Sequence, residues 1–230
     1  MAINVNDVYK SVLVVLEQQK RGVLTPNEFN RIAAQSQSEI YNQYFDDLNQ
    51  LLGMPQTSLA YADRMALLDE KISLFKTSEK LESSEDNEYK VPDKVQELGS
   101  VIYKKKEAQR IQQHEVYTTN ISPLTAPSAD YPVYTYEGKK IIMYPDSISG
   151  DIVINYLKAP SKPAWGFKIN KDLGGYIYNP FSSVDFEIHN SDQPLLIDKI
   201  LGYVGVMTKD QFAMSLASSK EQQINVNDQK

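Results

Sequence analysis

The apolar residues of this chain repeat at two different periods, and the order of those periods restricts the fold more than any motif does. Through the first third they recur every three to four residues. From about residue 100 they alternate in twos, and near residue 195 the longer period returns. A period of 3.6 belongs to a helix with one buried face, and a period of 2 belongs to a half-buried strand. Helices, then strands, then a helix imply an α+β chain.

The helical part divides at breaker residues. Val5, Val8, Tyr9, Leu13 and Leu16 predict a first helix, with Asn6 or Asp7 able to cap it and Gly22 beyond it. Thr25-Pro26-Asn27-Glu28 is a capping box with proline at the first helical position. Phe29, Ile32, Ala33, Ser36, Ile40, Tyr44, Leu48 and Leu51 then share one face, predicting about six turns of helix, stopped by Gly53 and Pro55. Residues 59–75 predict a third helix, with Ala62, Met65, Ala66, Asp69, Ile72 and Phe75 on one side. Residues 76–90 are polar, acid-rich and without periodicity, so an exposed loop is expected there.

Val101-Ile102-Tyr103 opens a strand, with Lys104-Lys105-Lys106-Glu107 as its exposed turn. Val133-Tyr134-Thr135-Tyr136 and Lys140-Ile141-Ile142-Met143-Tyr144 flank Glu137-Gly138 and predict a hairpin. Residues 152–157, 175–178 and 184–188 are the further strands expected. Short turns between strands imply antiparallel pairing. The closing helix begins at Pro194 and carries Leu196, Ile197, Ile200, Leu201, Val204, Met207, Gln211 and Met214 at helical spacing, with Gly202 and Gly205 inside it. The expected organisation is a helical region at 1–90 with its acidic loop at 76–90, an antiparallel β region at 91–193, a C-terminal helix at 194–217 packing back on the helical region, and a polar tail at 218–230. The fold class is thus α+β, with long N-terminal helices and a C-terminal helix around a small antiparallel β-sheet or sandwich. No internal repeat organises the chain.

Composition narrows the function. The 230 residues are 41% hydrophobic and 23% charged, ordinary globular values that allow a sizeable core. The net charge of -6 and pI near 5.1 argue against a surface that grips nucleic acid by releasing counterions. The absence of cysteine removes thiolate nucleophiles, disulfides and thiolate metal sites. The first residues show no basic leader before an apolar run, and the run at 12–16 is too short to span a bilayer. A soluble protein made in the cytoplasm is expected.

Reactive groups are sparse. His114 and His189 are the two histidines, and neither stands at metal-ligand spacing with a partner; surface or turn roles are expected for both. Asp46-Asp47 and Glu85-Asp86 are paired carboxylates, but neighbours on a helix point in different directions. Asp146 and Asp151 around a turn offer a metal site as the functional alternative, but turn acids are common and none is assigned there. Asn120-Ile121-Ser122 is a glycosylation sequon, which carries weight only in a secreted chain. Neither a nucleophile elbow nor a phosphate-binding glycine loop is present. No catalytic, cofactor or metal residue is assigned, and a non-enzymatic protein is expected.

Tyrosine is the unusual residue, at 15 against seven phenylalanines. Residues 122–145 alone hold four prolines and four tyrosines. Tyrosine combines a large apolar body with a polar tip and suits protein interfaces, while its high strand propensity makes sheet lining the ordinary alternative. Tyr131, Tyr134, Tyr136 and Trp165 are the candidate interface residues. Lys104-Lys105-Lys106 reads as solubilising charge at a turn.

The order of these features resembles a known family. A capped long helix and an acidic loop precede His114-Glu115-Val116-Tyr117-Thr118-Thr119-Asn120 and Ser122-Pro123-Leu124-Thr125-Ala126-Pro127. Tyr131-Pro132-Val133-Tyr134, Tyr144-Pro145, Ile154-Asn155-Tyr156-Leu157, Pro160, Pro163-Ala164-Trp165 and the final helix follow. The pattern is similar to the head-to-tail connector ring proteins, or portal adaptors, of crAss-like and related podovirus-type bacteriophages. The resemblance implies a virion structural protein of the neck, assembled in the host cytoplasm without cofactors. It further implies a homo-oligomeric ring of 12 copies beneath the portal protein, docked to other tail or connector proteins. Genomic DNA would pass through the lumen without specific binding, and no membrane would be involved. A hub or fibre adaptor is the alternative tail component. From another class, a carbohydrate-binding β-sandwich would use Trp165, Tyr176 and Tyr178 as its stacking platform.

Overall fold

The computed structural model describes residues 3–18, 24–53, 59–83, 87–148, 150–170 and 175–207. Gly22, Pro55, the Glu85-Asp86 pair, and the expected helix and tail beyond Met207 lie outside the described residues. The fold is α+β, and the chain divides into two compact units, residues 1–74 with 160–230 and residues 75–159.

The first unit holds α1 (Val5–Gln18), α2 (Pro26–Leu52), α3 (Leu59–Ser73) and α5 (Gln193–Met207), with α5 packed on α2 and α1. The first two helices begin where a side chain satisfies their free amides. Asn4 Oδ1 accepts from the Asn6 and Asp7 amides at 2.9 and 3.3 Å, so the cap of α1 is Asn4 rather than Asn6 or Asp7. The capping box of α2 forms in both directions: the Glu28 amide donates to Thr25 Oγ1, and the Thr25 amide donates to Glu28 Oε2 at 2.9 Å. Phe29, Ile32, Ala33, Ser36 and Ile40 are buried as the spacing predicts.

Gln37 joins them, and its amide donates to the Ser161 carbonyl at 2.7 Å and accepts from the Glu187 amide at 3.0 Å. A buried amide is tolerated because both of its ends are bonded. The expected face of α3 is corrected in part: Ile72 and Phe75 are buried as expected, and Met65 is half-buried. Leu68 is buried as well, whereas Ala62, Ala66 and Asp69 face solvent; the larger leucine, rather than the alanines, supplies the apolar area that decides which side turns inward.

Asp192 stands immediately before α5, where a carboxylate complements the free amides of a helix start. It receives the Tyr44 hydroxyl of α2 and pairs with Lys71 Nζ of α3 at 2.8 Å. Burial first, and then this carboxylate, push the Tyr44 phenol well above its usual range. A short hairpin of β8 (Phe167–Ile169) and β9 (Tyr176–Tyr178) completes the unit. Residues 184–188, expected as a strand, make only isolated bridges, Val184 to Ala164 and Phe186 to Ile3. They find a single partner residue each, so no ladder extends.

The second unit is a seven-stranded sheet, in spatial order β1-β7-β3-β4-β5-β6-β2. Its strands are β1 (Lys76–Leu81), β2 (Glu88–Lys90), β3 (Val95–Tyr103), β4 (Lys106–Arg110), β5 (Val133–Glu137), β6 (Lys140–Tyr144) and β7 (Ile152–Lys158). The loop expected at 76–90 is corrected: it contributes both edge strands of the sheet. Its exposed lysines hid the alternation, since β1 buries only Leu81 and half-buries Thr77 and Glu79. Charged residues on an edge strand discourage pairing with stray strands.

Five neighbouring strand pairs are antiparallel, and β4–β5 is parallel. A parallel pair needs a crossover long enough to return the chain. Residues 111–132 provide it and include α4 (Glu115–Ile121). The core lies against Ile152, Ile154 and Tyr156 of β7 and Ile141 and Met143 of β6, alternate residues of each strand. Two hairpins turn in two residues, at Lys104-Lys105 and at Gly138-Lys139. All four residues have positive φ, between 45° and 68°, as the twist-matched hairpin turn requires.

Candidate subunit interface

The crossover at 111–132 is an exposed segment of the second unit held by its own backbone hydrogen bonds. Its ends are fixed by the parallel ladder: the Gln109 amide donates to the Pro132 carbonyl at 3.0 Å, and the Ile111 amide to the Tyr134 carbonyl at 3.0 Å. Within it, Glu115 Oε2 accepts from the Gln112 amide at 2.9 Å at the start of α4. Val116 is the buried residue of that helix. After α4, the Ala126 amide donates to the Ser122 carbonyl at 2.9 Å, and Ser128 and Tyr131 exchange backbone hydrogen bonds. Lys106 Nζ of β4 reaches Asp130 at 2.5 Å and holds that carboxyl below its usual range. Pro123, Pro127 and Pro132 reduce the freedom lost in ordering the segment.

This ordered segment holds large apolar groups in water. Tyr117 is 77% exposed, Ile121 81%, Leu124 97% and Tyr131 80%. Tyr117 and Ile121 are four residues apart on α4 and so share a face. Single exposed apolar residues are common on protein surfaces, but several on one short ordered segment make it the candidate interaction surface.

The four tyrosine and tryptophan candidates fall in different settings. Tyr131 belongs to this exposed segment. Tyr136 is half-buried, with the Arg110 guanidinium 5.6 Å from its ring centre. Tyr134 is buried, and burial raises its phenol above the usual range. Trp165 is buried in the first unit, 4.3 Å from Tyr9 and 5.6 Å from Tyr178 between ring centres. Its backbone amide donates to Asn30 Oδ1 at 2.7 Å, and Asn30 Nδ2 donates to its carbonyl at 3.3 Å. Tyr117, Ile121 and Leu124 were not singled out from the sequence. Their signal was the i, i+4 spacing of Tyr117 and Ile121 beside the one inward residue, Val116.

The first unit carries its own exposed apolar surface on the β8–β9 hairpin and the turn after it. Ile169, Ile177 and Phe181 are 67%, 53% and 98% exposed. Tyr176 stands edge-on to Phe167 at 5.1 Å.

The side chains weighed for chemistry lie at separate places in the chain. His114 is exposed at the start of α4 and makes no side-chain cap there. His189 Nδ1 accepts from the Ser191 amide at 3.3 Å, closing the turn before α5. Asp46 is exposed and Asp47 half-buried. Asp146 accepts from Asn87 Nδ2 at 3.1 Å, while Asp151 pairs with Lys80. Among the described residues, no group of three or more histidine, aspartate or glutamate side chains could hold a metal ion, and no helix is long and apolar enough to cross a membrane. A groove of about 580 Å³ lies over β1, β7 and β3, lined by Lys76, Ser78, Glu97 and Asn155 among others. No family model matches this chain, and a search of curated proteins found no match.

Proposed function

We propose that this protein is a non-enzymatic structural subunit of a phage neck, closing with its own copies into a ring below the portal. The reading rests on the order of sequence features that resembles connector proteins, together with one structural observation. The crossover at 111–132 is tied in place at both ends yet presents Tyr117, Ile121, Leu124 and Tyr131 to solvent. A closed ring repeats a contact between two different surfaces of the subunit, and both units of this chain carry exposed apolar residues. The net charge of -6 suits a channel that DNA passes without adhering. Docking of the portal protein and tail proteins completes the proposed role. Burial of Trp165 weighs against the sugar-platform alternative, because its ring faces are taken by Tyr9 and neighbours. The test is mass photometry with negative-stain averaging of the purified chain. A discrete annulus of about 12 copies, as the resemblance implies, supports the reading; a monomer at every concentration overturns it.

A further inference from the structure

The chain contains one short identical repeat that periodicity alone does not reveal. Ile3-Asn4-Val5-Asn6-Asp7 recurs as Ile224-Asn225-Val226-Asn227-Asp228. In the structure the first copy fills a defined socket. Ile3 is buried and exchanges two backbone hydrogen bonds with Phe186, at 3.1 and 3.0 Å. The Val5 amide donates to Asp185 Oδ1 at 2.9 Å, and its side chain is fully buried. Asn6 Oδ1 accepts from Trp165 Nε1 at 3.1 Å. Asn4 shapes the segment from within by capping the turn that follows. Ile3, Val5 and Asn6 thus carry the socket contacts and Asn4 the turn, and the same residues stand in the same order near residue 225.

We propose that residues 224–228 of a second copy of this chain are an alternative occupant of the socket formed by Phe186, Asp185 and Trp165. An exchange between identical side chains is balanced group for group. Ile224 and Val226 would take the places of Ile3 and Val5, and the same backbone and asparagine partners are offered. The remaining difference is the opening of the first turn of α1, the part of a helix that frays most readily. What then decides occupancy is local concentration, which is high when copies are held side by side. Residues 208–223 separate the repeat from Met207, the end of α5, and can span on the order of 50 Å when extended, enough to reach a neighbour. Exchange of an identical element between protomers is a known route to assembly. The proposal does not rest on the connector reading, since a dimer would show it as well as a ring.

The absence of cysteine makes a selective test possible. Full-length chain carrying Gln223→Cys is labelled with a benzophenone maleimide and irradiated. The expected product is a covalent dimer whose cross-link maps to residues 184–188, falling at least fivefold in yield when Ile224→Asp and Val226→Asp are added. Adding a free peptide of residues 221–230 in excess should remove hydrogen-exchange protection from the amides of residues 3–8. Cross-links confined to single molecules, cross-links mapping elsewhere, or unchanged protection with the peptide would each overturn the proposal. The mapped cross-link in a dimer that forms no ring would count against the connector reading alone.

Discussion

Asp192 and Lys71 form a 2.8 Å ion pair in which both side chains are largely withdrawn from solvent, and Tyr44 donates to the same carboxylate. One residue before α5 therefore ties α5 to α2 and α3. Removing one member of a buried pair strands the other. Asp192→Ala should destabilise the protein by about 3 kcal/mol, measured by urea unfolding. The double variant with Lys71→Met should recover part of that loss, because no unpaired charge remains. Full additivity of the two changes would show that they do not act on one another.

The capping box predicts a pH-dependent effect. Thr25→Ala should cost about 1 kcal/mol near neutral pH. Hydrogen bonds from Thr25 hold the Glu28 carboxyl below its ordinary value of 4.5. A lowered folded value means that the stabilisation is present above pH 4.5 and fades as the pH falls through the lower value. The difference between wild type and Thr25→Ala should therefore shrink in acid. Denaturation midpoints at pH 7 and pH 3 check this; a difference that grows in acid would contradict the assignment.

The Lys104-Lys105 turn places two lysines at positive φ, 45° and 68°. Such a conformation costs an ordinary residue about 1 kcal/mol or more. The equivalent turn at Gly138-Lys139 uses glycine at its first position. Lys105→Gly should raise stability by about 1 kcal/mol while Lys104 keeps its place over the Tyr103 ring. A lower melting temperature for this variant would show that the Lys105 side chain contributes more than the turn costs.

The extent to which the sequence disclosed this architecture follows from where burial is one-sided. The capping box, the inward face of α2 and the Gly138 hairpin were legible because local chemistry and burial agree there. The strands at 76–81 and 88–90 were not, because edge strands rich in exposed lysine and glutamate carry little alternation. The parallel β4–β5 pair is set by the path of residues 111–132, a long-range property that no local spacing records. The same holds for the exposed residues: Tyr131 stood out as tyrosine, but Ile121 and Leu124 resemble core residues until their exposure is known. Trp165 shows the converse, since an aromatic that suggests a surface anchor lies buried beside Tyr9.

The central claim is that the chain assembles through its exposed crossover. Ile121→Asp and Leu124→Asp together should change stability by no more than about 0.5 kcal/mol, as for other exposed sites. The most direct measurement is mass photometry of wild type and this double variant at matched concentration, with thermal melts confirming that both are folded. The account predicts a ring-sized species for wild type and monomers for the variant. An identical ring in both, or monomers in both, would contradict it.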